Sequence, residues 1–218
     1  MSKKPMLQLA LDVFSTREAI KKIREVEDYI DVIEIGTILL NSVGKDVIGI
    51  LREIFPNKLI VADGKIADAG KVFGKMLFDQ GANYVTAICA AETPTILELD
   101  KTGKLINKNN QAQIELTSHY SWDQVQEWKN NGIKQLVYHR SRDSQAAGKK
   151  WNETDLQQIK KLIDLGFELS ITGGIEIEDI SFFKELPIYI FIVGRTIRED
   201  SRPNIKAKNF KDEIAKYW

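Results

Sequence analysis

Apolar and polar positions along this chain alternate between two rhythms. Short apolar runs with the pattern of strands buried on both faces are each followed by a stretch whose apolar residues recur at helical spacing. Residues 7–11 predict a first strand with Asp12 at its end. Ser15-Thr-Arg-Glu18 is a capping box ahead of Ala19, Ile20, Ile23 and Val26. Residues 32–35 predict a second strand, stopped by Gly36, with Glu34 inside an otherwise apolar run. Val47, Ile48, Leu51, Ile54 and Phe55 form the next helical face, closed by Pro56. Residues 59–62 predict a third strand, which Asp63 closes. Lys65 then sits on a turn, and Asp68 opens a helix through Val72, Phe73, Met76 and Leu77. Further strands are predicted at 83–88, 113–117, 135–139, 168–172 and 188–193. Among the helices between them, the one begun by Thr93-Pro94 runs into a polar, turn-rich stretch at 101–110 and is expected to be short or poorly packed. Ser121-Trp-Asp-Gln124 caps a helix carrying Val125 and Trp128. Another carries Leu156, Ile159, Leu162 and Ile163 to Gly166. A short one spans about 180–186, and the last covers roughly 204–217.

Eight strand–helix units in 218 residues, with no long linker and no break in composition, predict an α/β fold. Regular alternation specifies a parallel sheet, and eight units close into a single (β/α)8 TIM barrel covering the whole chain. A doubly wound open sheet is the competing architecture, but it usually has fewer units. Lys plus Arg and Asp plus Glu balance at 31 each, so there is no electrostatic footprint for nucleic acid or an anionic membrane. No apolar run approaches the roughly 20 residues of a membrane span, and the N-terminal stretch makes a poor signal peptide. The single Cys89 rules out an internal disulfide and suits a reducing compartment, so a cytoplasmic protein is expected.

The strand ends collect the reactive side chains. Asp12, Glu34, Asp63, His139, Thr172 and Gly194 fall at or near them, Glu115 lies within two residues of one, and Lys65, Asp68, Arg142 and Arg195 stand just beyond. In a closed barrel these converge on one mouth. Any one of them alone is more simply a surface charge, a cap or half of an ion pair, but repeated placement at one rim is not. Thr172-Gly-Gly174 and Gly194-Arg195 suit an anion, since glycines admit close backbone approach and arginine adds a fork of donors. In barrels this is the usual phosphate position. Glu34 and Asp63, on neighbouring strands, are two hard oxygen ligands suited to Mg2+. No Cys/His cluster points to zinc, and Cys89 and His119 read as a core residue and a loop or surface residue.

LALD at 9–12, IEIG at 33–36, DGKIADAG at 63–70, IELT at 114–117, HRSRDSQAAG at 139–148, TGG at 172–174 and VGR at 193–195 resemble the 3-keto-L-gulonate 6-phosphate decarboxylases. These belong to the orotidine 5′-monophosphate decarboxylase suprafamily, and the resemblance runs over essentially the whole chain. D-x-K-x-x-D fixes only the suprafamily; HRSRDSQAAG and IELT are more specific. Gly64 stands where Ala is usual and loosens the backbone beside Lys65, and Ser118 replaces a Gly. The resemblance implies Mg2+-dependent decarboxylation of 3-keto-L-gulonate 6-phosphate through an enediolate in L-ascorbate utilisation. It makes Glu34 and Asp63 the metal ligands. Lys65 stabilises the enediolate, and His139 and Arg142 position the water that protonates it. Asp12 and Glu115 contact substrate hydroxyls or support the metal and lysine, and Thr172, Gly174, Gly194 and Arg195 hold the phosphate. It also implies a homodimer with Asp68 reaching the neighbouring subunit's site. The rivals are a hexulose-6-phosphate synthase-like aldolase, against which Glu115 and Arg142 argue, and a catalytically dead sugar-phosphate-binding barrel. Orotidine monophosphate decarboxylase itself works without metal and would need substrate features that are not seen here.

Overall fold

The computed structural model describes residues 4–116, 119–140, 147, 148 and 150–218. Eight parallel strands close into a barrel in sequence order. They are β1 (Met6–Leu11), β2 (Val32–Ile35), β3 (Leu59–Ile66), β4 (Tyr84–Ile88), β5 (Gln111–Leu116), β6 (Gln135–His139), β7 (Glu168–Thr172) and β8 (Ile190–Val193). Around them run α1 (Thr16–Val26), α2 (Thr37–Val43), α3 (Asp46–Ile54), α4 (Gly70–Phe78), α5 (Thr93–Ile106), α6 (Trp122–Asn130), α7 (Glu153–Asp164), α8 (Ile177–Ile180), α9 (Arg195–Arg198) and α10 (Pro203–Tyr217). The (β/α)8 expectation holds. Among the described residues no helix is long and apolar enough to cross a membrane.

The main core lies between strands and helices. Leu7, Leu9 and Leu11 of β1, Ile33 and Ile35 of β2 and Ile60 of β3 face outward onto helical residues such as Ile23, Leu39, Leu51, Trp128 and Phe210. The other set of alternate positions points into the barrel. On odd-numbered strands Gln8, Val61, Gln113 and Ser170 form one inward layer. Ala10, Asp63, Glu115 and Thr172 form the layer nearer the carboxyl ends. The interior is thus unusually polar. Gln113 Nε2 donates to Gln135 Oε1 at 2.6 Å, and all of Gln8, Gln113, Gln135 and Ser170 are buried.

Four elements depart from the sequence expectation. β3 does not stop at Asp63 but continues to Ile66 through an irregularity: Asp63, Gly64 and Lys65 all lie between Ala62, paired with Val85, and Ile66, paired with Ala87. Asp68 does not cap α4. Ala69 is the N-cap residue, and the Asp68 carboxylate accepts the Ala69 N–H at 2.6 Å, outside the helix. The 101–110 stretch is not a weak helix: α5 is continuous to Ile106, with Asp100 buried and accepting the Ala112 N–H at 3.0 Å. α5 packs on α4 through glycines, which carry no hydrophobic signal. A Cβ on Gly70 would overlap the Thr95 carbonyl, and one on Gly103 would lie 2.7 Å from the Phe78 ring. The expected 180–186 helix is instead α8 followed by a 3-10 turn over Ser181–Phe183.

Candidate active site

The carboxyl ends of the strands open into a cavity of about 940 Å³. Asp12, Glu34, Asp63, Lys65, Glu115, His139, Thr172, Gly174, Gly194 and Arg195 all line it, on loops or strand ends from seven of the eight strands. Asp68 does not line it; its side chain is exposed beyond β3. Arg142 lies outside the described residues.

The β3 irregularity builds the centre. Lys65 has a left-handed backbone, φ 46°, a conformation rare for a side-chain-bearing residue. Opposite it, Thr86 of β4 fills the gap. Its hydroxyl donates to Asp63 Oδ1 at 2.7 Å and accepts the Lys65 N–H at 3.0 Å. The bulge and this one threonine together turn Lys65 inward. Its ammonium meets Asp63 Oδ1 at 3.3 Å and makes a close ion pair with Glu115 Oε2. Glu115 Oε1 faces His139 Nδ1, so one carboxylate bridges lysine and histidine. Burial alone would depress the Lys65 pKa, but Asp63 and Glu115 more than offset it and hold the ammonium above its ordinary value. Glu115 is the converse. Burial pushes it up, but the bonds from His139 and Lys65 win and keep it below the usual carboxylate range. An ionised carboxylate only accepts, so the protons between Glu115 and its partners sit on Lys65 and on His139 Nδ1.

Beside this network is an excess of negative charge. Glu34 accepts from Gln8 Nε2 at 2.6 Å. Burial, then the nearby charges of Asp63 and Asp12, push its pKa well above the usual carboxylate value despite Lys65. Asp63 is held on its other oxygen by the Thr37 hydroxyl at 2.7 Å. At the opposite wall the Gly173–Gly174 turn has φ values of 117° and 63°, and Gly194 leads into Arg195 at the start of α9.

Residues 5–210 match the model of the orotidine 5′-phosphate decarboxylase / HUMPS family. The chain belongs to this family. A curated relative, the probable 3-keto-L-gulonate-6-phosphate decarboxylase of Mycoplasma pneumoniae, is 50% identical over 98% of each chain. A crystal structure of KGPDC from Streptococcus mutans in complex with D-R5P superposes with a TM-score of 0.96 at 41% identity, covering 99% of this chain and 100% of that one. A more distant solved structure, 3-hexulose-6-phosphate synthase from Salmonella typhimurium, has a TM-score of 0.90 at 27% identity, covering 98% and 100%.

On this orotidine 5′-phosphate decarboxylase / HUMPS barrel, several side chains that shape the mouth escaped the sequence reading. Thr86 and Gln8 sit at inward strand positions, and polar residues at alternating sites of apolar strands were the signal available. Thr37 starts α2 directly after the β2 glycine. Arg198, buried, donates from Nη1 to the Asp12 carbonyl and anchors that loop. Arg140 directly follows His139 and lines the same mouth. Cys89 is buried and His119 exposed, as expected.

Proposed function

We propose that this chain decarboxylates 3-keto-L-gulonate 6-phosphate to L-xylulose 5-phosphate and carbon dioxide, a step of L-ascorbate breakdown. The observation that carries the reading is Lys65, a cation kept charged by Asp63 and Glu115 at the floor of the cavity. Losing carbon dioxide next to a ketone leaves an enediolate, whose oxygens need fixed positive charge in a site that excludes water. Lys65 supplies it. Glu115 orients Lys65 and fixes the His139 tautomer. Nε2 of His139 is then left to hold the water that protonates the enediolate, a task shared with Arg142. Thr172, Gly174, Gly194 and Arg195 bind the phosphate, and Asp12 faces the sugar hydroxyls.

The donor set suits Mg2+. Glu34 and Asp63 are oxygen ligands, and Glu34 is a carboxylate whose charge its surroundings disfavour until a cation compensates it. Glu34 and Asp63 would hold the ion, and Asp63 is already oriented by Thr86 and Lys65 on Oδ1 and by Thr37 on Oδ2. When bound, Mg2+ acts as a Lewis acid at the substrate oxygens.

We also read the working enzyme as a homodimer in which Asp68 serves the neighbouring site. Asp68 is exposed, and the start of α4 beside it presents Val72 and Phe73, 68% and 40% exposed. A second reading, a synthase-like aldolase joining formaldehyde to ribulose 5-phosphate, is favoured by the 27% likeness to a hexulose phosphate synthase. Carbon dioxide release from 3-keto-L-gulonate 6-phosphate, assayed with Mg2+ and with excess chelator, tests the proposal. Rapid release that chelation abolishes is expected. No release, with full-rate aldol condensation instead, would make the synthase reading correct.

A further inference from the structure

Arg140 is the first residue past β6, next to His139, yet its side chain turns toward the glycine turn after β7. Its Nε donates to the Gly173 carbonyl at 2.9 Å, and its Nη2 to the same oxygen at 2.6 Å and to the Gly174 carbonyl at 3.1 Å. The guanidinium lies over the Trp151 ring, 4.6 Å from its centroid. The backbones meet as well. The Arg140 N–H donates to the Thr172 carbonyl at 3.1 Å, and a Cβ on Gly173 would overlap the Arg140 carbonyl.

A trans peptide points its C=O and N–H in opposite directions. A guanidinium that holds the Gly173 carbonyl therefore turns the Gly174 N–H away from Arg140. Gly174 lines the cavity, and its N–H has no acceptor among the described residues. Two successive glycines with positive φ have many alternative conformations, so an unclamped turn would present this donor only part of the time. A planar fork on two adjacent carbonyls, with an aromatic ring behind it, removes that freedom before any ligand arrives.

We propose that Arg140 is a positioning residue that presets the Gly173–Gly174 turn to receive the substrate's phosphate. This rests on reading that wall of the cavity as the phosphate site. Arg140 does not itself touch the anion in this account; it acts through the turn. The cost of losing it falls on binding of the phosphorylated substrate more than on the chemical step.

The experiment compares wild type, Arg140→Lys, Arg140→Ala and, as a control for the phosphate reading, Arg195→Ala, with circular dichroism to show that each is folded. Arg140→Ala is expected to raise KM, and the inhibition constant of inorganic phosphate with it, on the order of 10- to 100-fold, the scale of losing hydrogen bonds from a charged group. Its kcat is expected to stay within a few-fold of wild type. Arg140→Lys, a point charge without the fork, recovers little. Guanidinium ion added to Arg140→Ala should restore phosphate binding in part, a rescue that general destabilisation would not show. If Arg195→Ala weakens phosphate binding while Arg140→Ala binds phosphate like wild type, the positioning role is wrong. A fall in kcat with unchanged KM also overturns it, because Arg140 would then be acting on His139. If phosphate binding survives both Arg195→Ala and Arg140→Ala, the phosphate reading itself fails and the proposal with it.

Discussion

Glu115 has two oxygens and gives one to a lysine and the other to a histidine. Replacing it with glutamine leaves a single accepting oxygen, so either Lys65 or His139 loses its anchor and a half-buried ammonium loses one of its two nearest counter-charges. Glu115→Gln is expected to lower kcat/KM about 100- to 10,000-fold, as removal of a group that positions proton transfer does. The pH dependence follows from the direction of the shifts. With its folded pKa depressed, Glu115 contributes stability that is present above the ordinary carboxylate value and disappears as pH falls through the depressed one. Lys65, raised, contributes stability present below its ordinary value and lost as pH climbs through the raised one. Acid unfolding curves of Glu115→Gln should therefore approach wild type at low pH and fall short of it near neutrality. Glu34 runs the other way. Its raised pKa means that the folded state disfavours the charge, a cost absent below the ordinary carboxylate value and complete above the raised one. Glu34→Gln should raise the Tm of chelated protein at pH 7. At the same time it should lose any Mg2+-induced rise in Tm and bind Mg2+ more weakly by calorimetry; an unchanged Mg2+ affinity would remove Glu34 as a ligand. Residue types and strand-end positions were legible in the sequence because charge inside an apolar run is conspicuous. The Lys65–Glu115–His139 link was not, since it joins three strands and depends on side-chain direction.

At the scale of elements, strand and helix order was legible because burial on both faces leaves a clear apolar pattern. Ser15, Ser121 and Gln124 cap as their spacing indicates. The misreadings have a common cause: backbone features that side-chain hydrophobicity does not encode. The β3 irregularity sets three residues, Asp63, Gly64 and Lys65, against Thr86 alone, and the α4–α5 contact is made by Gly70 and Gly103, whose value lies in having no side chain. Gly64 lies in the same irregularity, but its backbone does not require glycine. Its φ is not in the left-handed region, and an added Cβ would meet only the flexible tip of Ile66 at 2.9 Å and Leu77 at 3.3 Å. The polar inward layer was equally unread, because Gln8, Gln113 and Ser170 each look like the solvent side of a strand. Ser170 tests that layer. It is fully buried, and its hydroxyl has no partner among the described residues. Removing a buried hydroxyl without a partner recovers its desolvation cost, about 1–3 kcal/mol. Ser170→Ala should accordingly raise Tm by a few degrees, at roughly 2–4 °C per kcal/mol for a chain of this size. A fall in Tm on thermal unfolding would mean that the hydroxyl is satisfied after all.

At the scale of the molecule, one chain gathers all but one of the described candidate residues at a single mouth, and the exception is Asp68. Its carboxylate sits three residues past Lys65, yet the bulge sends the lysine inward, while the chain beyond Ile66 runs out over the rim, where residues 67–69 are exposed. Its side chain does not line its own cavity. The proposed dimer gives this exposed carboxylate a second chain's site to serve, and the exposed Val72 and Phe73 beside it are apolar area that such a contact would cover. In a two-fold dimer each site then holds its own Lys65 and its partner's Asp68. Lys65→Ala and Asp68→Ala homodimers each lack one member in both sites and should be inactive. After mixing under conditions where subunits exchange, a heterodimer has one site missing both residues and one with both intact. Statistical exchange makes half of the dimers mixed, each with one working site, so activity should recover to about one quarter of wild type per site. Sedimentation velocity establishes the dimer, and a tagged subunit establishes exchange. Exchange with no recovery, or an Asp68→Ala enzyme that retains full activity, would confine each site to a single chain and leave the exposed start of α4 without a catalytic role.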